Sequence, residues 1–100
     1  MIYKFKSKAS GDLIMLGPNG DQMLRLLGRE PAAKGIFEVA DMGAAIDALR
    51  KAVQAEDARL AEAQGDAAAA PGVTLRQRLW PMVEMLKRAQ AEKEVVVWGA

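Results

Sequence analysis

Polar and apolar positions alternate from the start of the chain. Tyr3, Phe5 and Ser7 fall on one parity, and Lys4, Lys6 and Lys8 on the other. A period of two with one charged face predicts a half-buried strand, and its lysines suit a sheet edge. Lys8-Ala9-Ser10-Gly11 reads as a short turn. Leu13-Ile14-Met15-Leu16 follows as a continuous apolar run of the kind found in strands covered on both faces. The two segments together predict a β-hairpin.

Gly17-Pro18-Asn19-Gly20 breaks the second strand. Asn19 has the side chain of an N-cap, with Gln22 three residues on in the position of a capping box. The helix it opens carries Met23, Leu24 and Leu27 on one face with Leu26 beside them, and Gly28 stands at its C′ position. Residues 29–34 form a loop around Pro31, and Gly35 to Val39 is extended, enough for a short extra strand. Asp41 then caps a longer helix in which Met42, Ile46, Leu49 and Val53 recur at helical spacing and Leu60 extends the stripe. The pattern fades after Glu62 into an alanine-rich linker at 63–73. Thr74 and Gln77 repeat the capping-box form before a third helix, where Leu75, Leu79, Met82, Leu86 and Ala89 make the seam. Pro81 lies inside that helix and predicts a kink near Trp80. Val95-Val96-Val97-Trp98 is short and β-branched, as a strand is.

The predicted order is β-β-α-(β)-α-α-β. This is an α+β domain with an antiparallel sheet of three to four strands packed with three helices. The last strand must cross the molecule to join the hairpin. The strands at 13–16 and 95–98 are apolar on both faces, yet three helices of this size are expected mainly on one side. Either a helix crosses the second face or another copy of the protein covers it.

Composition narrows the chemistry. One hundred residues make a single domain, with a core large enough to need no disulfide or metal staple. Fourteen basic and thirteen acidic side chains leave a net charge of +1, which excludes a polybasic protein. Cysteine and histidine are both absent. That removes Cys/His zinc sites, thiol nucleophiles, Ser-His-Asp triads and imidazole bases. No cofactor is expected, and an enzyme is the class least favoured. The lysine-interrupted N-terminus is no signal peptide, and no window approaches the ~20 apolar residues of a spanning helix. A cytoplasmic protein without a membrane partner is expected, and the lack of cysteine suits a reducing compartment.

The opening Tyr-Lys-Phe-Lys-Ser-Lys-Ala-x-Gly-Asp-x-Ile-Met-Leu from Tyr3 resembles a family of small proteobacterial proteins, domain of unknown function 1840. Gly35-Ile36-Phe37, Asp41-Met42, Ala45-Ile46-x-x-Leu49, Leu75-Arg76-Gln77-Arg78 with Pro81, and the closing Val97-Trp98-Gly99 are similar too. The resemblance spans the chain apart from the alanine-rich linker. It implies one intact domain in a bacterial cytoplasm and brings no activity, cofactor or catalytic residue.

Among the candidate sites, Trp80, Met85 and Trp98 are the residues for an apolar interaction surface, because large aromatics at the border of a buried stripe are common interface anchors. The competing account puts both tryptophans over the small core and the methionines within it. Lys4, Lys6 and Lys8, with Asn19 and Gly20 ahead of a helix N-terminus, are the residues for an anion or nucleic acid. An RNA-binding sheet interleaves exposed aromatics with its lysines, but Tyr3 and Phe5 point the other way, so nucleic acid is disfavoured. The carboxylate pairs Glu56/Asp57 and Glu62/Asp66 lack a face or a cleft for acid–base work. The expected function is a non-enzymatic interaction module that binds itself or an unidentified protein. The alternatives are a small-ligand or anion-binding protein using the 17–20 loop, or a weak RNA binder.

Overall fold

The computed structural model describes residues 2–62 and 75–99. Its elements in chain order are β1 (Ile2–Ser7), β2 (Ser10–Leu16), α1 (Gly17–Leu26), β3 (Gly35–Phe37), α2 (Val39–Glu62), α3 (Leu75–Glu92) and β4 (Val96–Trp98). The strands form one antiparallel sheet in the order β2-β1-β4-β3. The α+β architecture, the hairpin, the short extra strand and the return of the last strand to the hairpin are therefore present. The Leu60 side chain, the 63–73 linker and the Thr74 cap lie outside the described residues. No helix among the described residues is long and apolar enough to cross a membrane.

The helix starts differ from their side-chain signals. β2 runs straight into α1, whose N-cap is the extended Leu16 and has no side-chain cap. Pro18 sits in the first turn, where its missing N–H costs nothing and its fixed φ is already helical. Asn19 is thus inside the helix rather than capping it, which corrects both the cap and its capping box. α2 likewise begins at Val39, so Asp41 is a first-turn residue, its carboxylate near the positive end of the helix dipole. α3 starts with the Leu75 amide donating to Glu56 Oε1 of α2 at 2.8 Å. It continues through Pro81 to Glu92.

The exit of α1 follows its sequence signal. Gly28 takes φ 76°, its N–H donates to the Arg25 carbonyl at 3.0 Å, and the Arg29 N–H reaches back to Leu24 at 2.8 Å. These two bonds make a Schellman motif, which needs a left-handed residue at C′. Arg29 then donates to the Ile36 carbonyl at 2.8 Å and lies over the Phe37 ring at 4.5 Å, fixing β3 against the helix exit.

Buried side chains from the sheet and the three helices form one cluster. The sheet contributes Tyr3, Phe5, Met15, Phe37, Val96 and Trp98, all on the face toward the helices. From α2 come Met42, Ile46, Leu49 and Val53, the predicted stripe. α3 buries more than its seam, adding Val83 and Met85, because it packs on both α2 and the sheet. Phe5 and Phe37 lie 5.5 and 5.2 Å from Trp98, ring centre to ring centre. The Trp98 ring covers Gly35, its cross-strand partner, where a Cβ would collide with the indole. Its Nε1 donates to the Ala32 carbonyl at 3.0 Å. At the other end of β1, Tyr3 covers Gly20 of α1 and donates its hydroxyl to Asp21. Burial, then the hydrogen bond and charge of Asp21, push the Tyr3 pKa up to about 12.

Candidate interaction face

The three helices bury their apolar faces with the ring-bearing face of the sheet in one cluster, so among the described residues no helix covers the other face. Strand parity decides what lies there. Opposite residues in an antiparallel pair share a face, and Ile2 opposes Leu16 while Lys4 opposes Ile14. On the far side of β1, Lys6 opposes Val97, which in turn opposes Ile36. The bare face therefore carries an apolar corner of Ile2, Ile14 and Leu16, a central pair of lysines, and a second apolar group of Val97 and Ile36. The corner residues are 63%, 59% and 62% exposed, which for three adjacent large aliphatics is a patch rather than a scatter. Ile36 and Val95 are also exposed, and Val97 is half-buried.

Lys4 makes a 3.7 Å ion pair with Asp12 on this face. Beyond the register shift between Phe5 and Ser7, exposed Lys8 joins Lys6, Glu94, Val95 and Val97 around a hollow of about 340 Å³. All five aromatic side chains of the chain lie elsewhere. Tyr3, Phe5, Phe37 and Trp98 are in the core, and Trp80 is on α3. The lysines thus have apolar aliphatics around them and no ring on which a base could stack.

Two of the residues expected at an apolar surface are inside the molecule. Trp98 is 3% exposed because it fills the space above Gly35, and Met85 is 5% exposed because α3 turns it toward the core. Burial takes Trp98 off the surface and leaves Met85 only a narrow edge, in the cleft between β2 and α3. Trp80 is half-buried beside the core, with the Arg76 guanidinium 5.0 Å from its ring centre. Arg76 is held in turn by Asp57 at 2.8 Å. The three do not form one surface. Asn19 and Gly20 both lie in the first turn of α1, where Gly20 is buried under Tyr3.

The residues that do make the patch carried a readable signal. Ile2 shares the parity of Lys4, and a hairpin with a tight turn puts Ile14 and Leu16 on that same face. The apolar character of 13–16 on both faces was the visible part of it.

No curated protein and no solved structure matches this chain. A family model does, over residues 1–98, which takes in every element from the hairpin to β4, and the chain belongs to the family described as domain of unknown function 1840 (DUF1840).

Proposed function

We propose that the protein is a non-enzymatic interaction module that pairs with a second copy of itself through the bare face of its sheet. The observation that carries this is the contiguous exposure of Ile2, Ile14 and Leu16 on a face that no helix covers among the described residues. The face is also self-complementary in charge. Lys4 and Asp12 lie on it together, so a two-fold related copy can exchange partners, lysine to aspartate in both directions. Its size sets the strength. Two six- to seven-residue strands and two three-residue strands cover on the order of 300 Å² in projection, from strand spacing and rise. That is small beside the roughly 800 Å² per partner of a standard interface, so the dimer is a transient one. A cytoplasmic setting belongs to the same proposal, since a chain with no cysteine suits a reducing compartment.

Sedimentation velocity over a concentration series tests the pairing. The wild type should shift from chain mass to twice that mass in the micromolar range or above. Ile14→Glu with Leu16→Glu changes two exposed side chains and should leave the circular dichroism intact, yet hold the protein monomeric throughout. A wild type that stays monomeric at several hundred micromolar rejects pairing.

A further inference from the structure

A second feature lies at the sheet margin, away from that patch. Among the described residues β2 has β1 as its one strand neighbour, so half the backbone N–H and C=O groups of this seven-residue edge point outward. Long exposed edges in soluble proteins are normally blocked by lysine, proline or a covering element. Residues 10–13 of β2 carry no lysine or proline and Asp12 is their one charge, though the register shift against β1 falls within them. Instead they form one wall of a cleft of about 640 Å³ whose other wall is α3. No β1 residue lines it among the described residues, which places it on the free side of β2. Its volume falls within the roughly 300–1,000 Å³ of ligand sites.

The cleft has the parts that an added strand uses. Gly11 is exposed, and a Cβ built there would meet nothing within 4 Å, so another backbone can approach closely. Leu13, Pro81 and Met85 supply an apolar floor for one side chain. The charges are unevenly matched. Asp12 is paired with Lys4, and Glu84 with Lys87 at 3.5 Å, but Arg88 at the rim has no ion pair among the described residues. An occupant that completes this set brings a carboxylate.

We propose that the cleft between β2 and α3 takes an extended peptide segment of a partner protein, added as a fifth strand beside residues 10–13, with one apolar side chain on the Leu13–Pro81–Met85 floor and an acidic group against Arg88. Main-chain pairing supplies affinity in this mode, and the alternate side chains supply selectivity. The cleft shares Asp12 with the self-pairing face but not its aliphatic patch, since Ile14 and Leu16 do not line it.

The test is to pan a phage-displayed library of random heptapeptides against the whole protein and titrate synthetic copies of the enriched sequences. Enriched peptides should avoid proline and carry Asp or Glu at one fixed position. Arg88→Glu should weaken them by roughly fivefold or more, the scale of an exposed charge reversal, and change the selected residue to Lys or Arg. N-methylation of one alternate set of peptide amides should abolish binding while the other set tolerates it, as strand pairing requires. Ile14→Glu with Leu16→Glu should leave all of this unchanged. Failure to enrich any sequence overturns the proposal. So does equal binding by Arg88→Glu, or tolerance of N-methylation at both sets.

Discussion

Tyr3 is the chain's one tyrosine, and its environment makes a pH dependence that can be isolated. The phenol is neutral in the fold up to about 12, against about 10 in an unfolded chain. Burial is the main cause, followed by the hydrogen bond to Asp21 and that residue's negative charge. The raised value gives the sign. Below about pH 10 both states keep the proton and the contribution is complete; between there and about pH 12 the unfolded chain ionises first and stability falls. Tyr3→Phe should cost about 1–2 kcal/mol near neutral pH through the lost hydrogen bond. Its unfolding free energy should then fall less between pH 10 and 12 than that of the wild type. Urea unfolding of both proteins across that interval measures the difference, and parallel curves would refute it. The inward direction of Tyr3 was legible from alternation alone. That of Trp98 was not, because it depends on Gly35, which meets it only through the β3–β4 register.

Among the elements, the helices were legible by their faces and poorly so by their first residues. The stripe on α2 and the Gly28 exit of α1 depend on nearest neighbours in sequence, which periodicity and glycine report directly. The starts of α1 and α2 lie three residues earlier than their cap signals imply because the backbone is shaped by what precedes it, a strand and Pro18 in one case and β3 in the other. Met85 was misplaced for a related reason: a seam spaced by threes and fours describes one packing partner, and α3 has two. The exit of α3 repeats the Schellman bonds of α1, with Lys93 donating to Gln90 and Glu94 to Ala89 at 3.2 and 2.9 Å. Here the left-handed C′ residue is a lysine at φ 58°. A side chain in that conformation costs roughly 1–2 kcal/mol that glycine avoids. Lys93→Gly should therefore stabilise the protein by about 0.5–1 kcal/mol, the part of that cost left after the greater freedom of glycine in the unfolded chain. A thermal midpoint unchanged or lowered in the variant would show that Lys93 is not strained.

At the scale of the molecule, the last strand of the chain is an inner strand of the sheet. β4 lies between β1 and β3, with Phe5 opposite Trp98 on one side and Gly35 opposite it on the other. Among the described residues β3 has no other neighbour in the sheet, so without β4 its ladder pairing is gone. Phe5 and Phe37 would also lose the indole that both contact, and the Ala32 carbonyl its donor. Sequence shows that a strand closes the chain, but only the pairing shows that the strand is internal. Removing a buried tryptophan alone costs about 3–5 kcal/mol, a large share of the roughly 5–15 kcal/mol by which domains are stable. Val96, fully buried, adds to that. A chain cut after Glu94 should therefore lose its cooperative transition altogether rather than fray at one end. Near-ultraviolet circular dichroism reports this through Trp80, which the cut retains. A truncated chain that kept a sharp thermal transition and a fixed Trp80 signal would mean that the hairpin and helices hold together without the strand joining β3 to β1.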